Sequence, residues 1–486
     1  MSALANRYTL GVAVVAALVL VVPAREPVIA PVPEGGAPFV WGRDSLWTAL
    51  EEAFTESRAN ACADSSATLA ALTAFESAVS ALRGPTVPQL DALSQRFFQL
   101  APRVAPCAAL ISRFAALQSA WRTAAKQATV DWDPSDRAQR DALYRALYGG
   151  RAAVEEVMLQ QPGAVAPLLR GADVPSVTPS AVVQGVTLHS GDILVSRGGY
   201  PTSALIARGS DHPGNFSHIA LVHIDATSRA VSVIEAHIEL GVAITTAEGY
   251  LADKKLRVMV LRPRADLPAL TADPQLPHKA AQLMLDRARR EHIPYDFTMD
   301  YEDPTRLFCS EVASQGYRAQ GLTLWMGRST ISRPGLRQWL GSFGVRHFET
   351  QEPSDLEYDP QLAVAAEWRD PATLFEDHVD NAVTDAMLEG ADRGDRLRYP
   401  WYQLPLARVL KGWSWLRERS GGAGPIPEGM TPAAALRNRS YNARHDRLSA
   451  EVLRGAEAWR TARGYPPPYW ALVGLAREAV ANEPLR

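Results

Sequence analysis

His218-Ile219-Ala220-Leu221-Val222-His223-Ile224 and Ala230-Val231-Ser232-Val233-Ile234-Glu235-Ala236 are two aliphatic, β-branched runs separated by the polar segment Asp225-Ala226-Thr227-Ser228-Arg229. Two such runs joined by a short turn predict an antiparallel hairpin. His218 opens the first strand and Glu235 closes the second, so the hairpin makes them cross-strand neighbours. His237 lies two residues beyond Glu235 and shares its strand face.

Outward from the hairpin, Asp192 to Ser196 and Leu256 to Leu261 read as further strands. Downstream, Arg306-Leu307-Phe308-Cys309-Ser310-Glu311-Val312 opens a stretch of helical composition from Cys309 to Gln320. Val312, Ala313 and Tyr317 supply its buried stripe, and Gly321 a stop signal. Cys309 would then occupy the first helical turn, where unpaired N–H groups and the dipole favour an anion. A lowered thiol pKa is expected there, with N–H groups placed for an oxyanion. Thiol, imidazole and an orienting carboxylate are the parts that nucleophilic acyl transfer needs. His237 is the alternative orienting group, and Tyr295, Asp296 and Ser310 are candidates for lining the pocket.

The segments Gly191-Asp192-Ile193-Leu194, Ser217 to Val222, Val233 to Ala236 with Gly241-Val242, Tyr295-Asp296-Phe297 and Phe308 to Val312 come in an informative order. In that order they resemble the permuted papain-like amidases of the NlpC superfamily, in the YiiX-like branch. In papain-type enzymes the cysteine helix precedes the histidine strand; here the histidine comes first, as in the permuted branch. The resemblance covers about residues 185 to 325. It implies an α+β domain with an antiparallel sheet, Cys309 as nucleophile, His218 as general base and Glu235 as the residue that fixes the imidazole.

Before this domain, apolar residues recur at helical spacing: Leu69, Leu72, Phe75, Val79 and Leu82; Leu90, Leu93, Phe97 and Leu100; Leu110, Phe114, Leu117 and Trp121. An antiparallel helical bundle over 43–165 is expected, then the catalytic domain over 180–345 and a helical extension over 346–486. In the extension Trp401, Trp413, Trp415, Trp459 and Trp470 read as large core anchors. At the N-terminus the run Thr9 to Val22 follows Arg7 and suits a signal peptide or membrane anchor over 1–24. The Pro- and Gly-rich residues 25–42 read as a linker holding the folded part away from a membrane.

The expected location is therefore outside the cytosol, periplasmic or anchored in the inner membrane and facing the periplasm. Three cysteines fit such a place: in an oxidising compartment Cys62 and Cys107 could pair across helices, leaving Cys309 as the free thiol. A net charge of -3 and the lack of basic–aromatic runs argue against nucleic acid as a partner. No cofactor is expected. His212, His218, His223, Glu235 and His237 crowd one region, yet His218 and His223 leave opposite faces of a strand, and no CxxC or HExxH motif is present. The substrate expected is an amide of a peptidoglycan peptide. A lipid-directed acyl hydrolase or acyltransferase and an inactive envelope scaffold are the alternatives. The membrane is a partner through the N-terminal segment if that stays uncleaved.

Overall fold

The computed structural model describes residues 22, 24, 26–32, 36–41, 43–171, 173–324, 328–420 and 422–483. Nearly all of the segment expected as signal or anchor lies outside the described residues. Helices come first: α1 (Arg43–Ala59), α2 (Ser65–Ser80), α3 (Val87–Val104), α4 (Ala108–Ala128), α5 (Arg137–Tyr144), a π turn (Arg145–Gly149) and α6 (Gly150–Gln160). They pack on one another through the stripes read from the sequence: Leu72, Phe75, Leu90, Phe97, Phe114 and Trp121 are buried in one core. Cys62, in the turn after α1, is disulfide-bonded to Cys107, the residue before α4.

The sheet is built from β1 (Leu168–Arg170), β4 (Ile193–Gly198), β5 (His218–Ile224), β6 (Val231–His237), β7 (Gly241–Thr246), β8 (Lys255–Pro263) and β11 (Leu362–Trp368). Its order is β1-β11-β8-β4-β5-β6-β7, antiparallel throughout. Alternation gives each strand two cores. Ile193, Val195, Ile219, Leu221, Ile234 and Met259 join the helical core, while Leu194, Ala220, Val222, Val233 and Val260 face a hairpin of β2 (Ser180–Val183) and β3 (Val186–His189). Burial on both faces explains why these strands read as unbroken apolar runs.

Short helices α7 (Pro201–Arg208), α8 (Ala247–Ala252) and α9 (Pro268–Ala272) connect strands, and α10 (Leu276–Arg290) and α11 (Cys309–Ala319) pack on β5. Then follow β9 (Ser329–Thr330), α12 (Pro334–Phe343), β10 (Glu349–Thr350), the single turn α13 (Asp355–Tyr358), and, after β11, α14 (Pro371–Asp392). A 3-10 turn (Trp401–Gln403) leads into α15 (Leu404–Arg419), α16 (Pro432–Arg463) and α17 (Tyr469–Ala481).

The boundaries 43–165, 180–345 and 346–486 do not separate these parts. The sheet takes β1 from the expected link and β11 from the expected helical extension. Leu362-Ala363-Val364-Ala365-Ala366 is alanine-rich and carries little strand preference; its pairing with β8 decides its state. Buried ion pairs also cross the boundaries. Arg122 Nη1 of α4 donates to Glu367 Oε2 of β11 at 2.9 Å, and Arg151 Nε of α6 to Glu357 Oε1 at 2.8 Å. Arg257 Nη1 of β8 reaches Glu155 Oε1 of α6 at 2.6 Å, while its Nη2 bonds Asp377 of α14, which also pairs with Arg197 Nε of β4 at 3.1 Å.

Two further expectations are corrected. Residues 25–42 are no free spacer where they are described: Phe39 is buried and its N–H donates to Asp211 O at 2.7 Å. Arg337 Nη2 donates to Ala30 O at 2.7 Å, and Arg437 Nη2 to Glu26 Oε1 at 2.7 Å, so the segment is a strap laid on the fold. Trp401, Trp413 and Trp415 are not core anchors but stand in solvent. A helical period marks an apolar stripe without saying what covers it.

Candidate functional site

Ala220 lies opposite Glu235 in the β5–β6 register, so the imidazole of His218 reaches the carboxylate diagonally. His218 Nε2 and Glu235 Oε2 are 2.6 Å apart. The other oxygen, Oε1, lies 3.1 Å from His237 Nε2. One buried carboxylate thus joins two imidazoles, whose rings are 6.0 Å apart. The two candidates for the orienting group are not alternatives in space: Glu235 touches His218, and His237 supports Glu235 from behind.

The electrostatics follow from this row. Burial alone would raise the Glu235 pKa, but hydrogen bonds from His218 and His237 hold it down at about 2. His237 is raised by its bond to Glu235, whereas desolvation lowers His218 despite the same partner. At neutral pH His218 is therefore a neutral base beside a fixed negative charge.

Cys309 begins α11 and is buried, at 4% exposure. Its Sγ is 3.9 Å from Ser217 O, and the N–H groups of Ile219 and Ser310 favour its ionised form. The thiol thus sits against the backbone on either side of His218, with no hydrogen bond from Sγ to the imidazole among the described residues. The expected lowering of its pKa is reversed. Burial pushes the thiol up to about 12, outweighing those two N–H groups.

The remaining candidates separate. Tyr295 interacts electrostatically with Cys309 and borders the site. Asp296 is occupied as a loop pin: Oδ1 accepts from Thr298 N at 2.8 Å and from Thr298 Oγ1 at 2.6 Å, and Oδ2 from Asp300 N at 2.6 Å. Ser310 is wholly buried in the first turn of α11. Of the other crowded histidines, His212 bonds Asp141 at 2.7 Å and His223 bonds Gln282 at 2.7 Å, both away from this row.

Sequence reasoning missed Glu352 and Tyr250. Glu352 is buried near Cys309, and desolvation pushes its carboxyl well above the ordinary carboxylate range. It comes from a proline-containing loop after β10, where no local pattern distinguishes it. The Tyr250 hydroxyl donates to Ser196 Oγ at 2.8 Å, and Lys255 lies 4.6 Å over its ring, packing the side of the site nearest β4.

A strand-borne histidine bonded to a carboxylate, ahead in sequence of a cysteine at a helix start, defines a papain-like thiol site in permuted order. Residues 187–365 match the family of permuted papain-like amidase enzymes, YaeF/YiiX, C92 family, so this part of the chain is of the YiiX-like kind. Every residue of the site falls within that match. No curated protein and no solved structure matches the chain.

Proposed function

We propose that the protein is a cysteine hydrolase that cleaves an amide bond in the cell envelope, with Cys309 as nucleophile, His218 as base and Glu235 as the group that orients the base. The observation that carries this reading is the 2.6 Å bond between Glu235 Oε2 and His218 Nε2. It commits Nε2 as donor and leaves Nδ1 as the basic nitrogen.

The steps follow. The thiol turns from the Ser217 carbonyl to His218 Nδ1 and passes its proton there as Sγ bonds to the carbonyl carbon. The C–N bond breaks, and the leaving amine takes the proton from His218. Water, deprotonated by His218, attacks the thioester and releases a carboxylic acid, and Sγ recovers the proton. A thiol held at about 12 does not ionise alone at neutral pH, so proton removal is concerted with attack. Family kinship with amidases favours an amide, and an exported setting supplies peptidoglycan peptides as substrates.

The test is incubation of wild type and Cys309→Ala with peptidoglycan fragments and, separately, with phospholipids, reading products by mass. A Cys309-dependent mass gain of one water in peptide fragments is expected. Products from lipid alone would redirect the substrate assignment, and none from either pool would leave an inactive scaffold as the better reading.

A further inference from the structure

Helix α15 carries an apolar stripe that nothing described in the chain covers. Leu406, Val409, Leu410, Trp413 and Leu416 recur at helical spacing and are exposed, with Trp401 and Tyr402 leading into them at 77% and 66%. The opposite face is the packed one: Leu404, Ala407 and Ser414 are buried against Ile426 and Met430. Exposed scattered leucines are ordinary, but five apolar side chains in a row on one helix, extended by Trp401 and Tyr402 of the turn before it, mark a docking surface.

Three observations say what docks. First, the helix bears Arg408, Lys411, Arg417 and Arg419 against the single acid Glu418; Arg417 borders the stripe, while Lys411 is on the packed face, donating to Pro427 O and Glu428 O at 2.6 Å. The Arg419 guanidinium lies 3.7 Å over the Trp415 ring, on the side of the helix away from the stripe. Second, the chain before residue 22 is the uncharged run Thr9 to Val21, and its described end lies on this helix: Arg408 donates to Val22 O, and Ala24 packs against the α15 cluster. Third, α15 has 16 residues, and no described helix is long and apolar enough to cross a membrane. A short helix with a basic flank lies along a bilayer surface.

We propose that α15 is a membrane-surface helix, its stripe sunk into the interface of an anionic phospholipid bilayer. The same apolar cluster reaches Ile238 and Phe297, the neighbours of His237 and Asp296. Docking through α15 therefore holds the rim of the thiol site one helix diameter, roughly 10 Å, from the lipid surface.

The experiment uses the full chain in a Cys309→Ala background with an environment-sensitive thiol dye at Val409→Cys, at Leu416→Cys or, as control, at the exposed Leu453→Cys on α16. Vesicles of phosphatidylethanolamine and phosphatidylglycerol carry a spin-labelled lipid as quencher. Expected are a blue shift and quenching at 409 and 416 with neither at 453, weakened by salt and by replacing phosphatidylglycerol with phosphatidylcholine. Dye at 409 and 416 already shielded without vesicles would mean that the chain's own apolar segment or a second copy covers the stripe, and would overturn the proposal. So would dye that stays solvent-exposed on vesicle-bound protein, or failure of the chain to bind vesicles.

Discussion

Glu235 Oε2 stands 2.6 Å from His218 Nε2, at the end of a strand pair that both residues share. The rigidity of the hairpin, rather than a flexible loop, fixes which imidazole nitrogen is left for chemistry. Glu235→Gln keeps the shape but favours the wrong tautomer, and kcat should fall about 10²–10⁴-fold. His237→Gln removes only the support of the carboxylate and should cost less than about tenfold. Steady-state kinetics of both variants on the same amide substrate check the ranking; equal losses would place His237 in the site.

On the proposed mechanism activity needs neutral His218, whose pKa lies below the ordinary 6.5 because its ring is desolvated. Activity is lost as pH falls through that lowered value. The acid limb of kcat/KM is therefore expected below pH 6.5, and Glu235→Gln should move it lower still by removing the group that raises it. A pH–rate profile of wild type and variant measures both shifts.

Glu235 also links folding to pH. Its folded pKa of about 2 lies below the ordinary carboxylate value of 4.5, so its stabilisation is complete above pH 4.5 and disappears as pH falls toward 2. The contribution is on the order of 3 kcal/mol. Urea unfolding between pH 6 and pH 3 should show a shallower loss in Glu235→Gln than in wild type.

Cys309 should behave as a protected thiol. With burial holding its pKa at about 12, it stays protonated at neutral pH, and alkylation of the native protein should be far slower than that of an unfolded-chain thiol. In urea without reductant one label is expected, and three after reduction, because Cys62 and Cys107 are paired. Reduction of that bond, which closes a separation of 45 residues, should cost about 4 kcal/mol. Intact mass and paired urea titrations give the two answers.

Glu155→Ala strands Arg257 in the interior with only Asp377 for company, and leaves Arg151 with one partner fewer. A loss of roughly 3–5 kcal/mol is expected. Glu155→Gln should recover part of it. Chemical denaturation of the three proteins decides; a change under about 1 kcal/mol would mean that water replaces the carboxylate.

The hairpin was readable because its signal is local. His218 to Ile224 has the bounds the sequence predicts, and Cys309 opens its helix as expected. What the sequence hid is non-local. Leu362 to Trp368 becomes a strand only through β8, Glu352 approaches the thiol from a loop with no pattern, and the thiol pKa turns on how deeply the helix start is covered. The helix-dipole argument for Cys309 was sound for an exposed helix end and failed because this end is buried. Trp413 of α15 obeys the periodicity that predicts burial, and only its exposure among the described residues reveals it as surface.

β8 has β4 on one side and β11 on the other, and β11 lies beyond residue 361. During synthesis, the ribosome therefore delivers His218, Glu235 and Cys309 before the strand that seals the sheet. Until then Leu256-Arg257-Val258-Met259-Val260-Leu261 offers an unpaired, largely apolar edge, an invitation to self-association. Fragments ending near residue 345 should precipitate even though they hold the thiol, the imidazole and the carboxylate, and a nascent chain has to be kept from its neighbours for longer than its active-site sequence suggests.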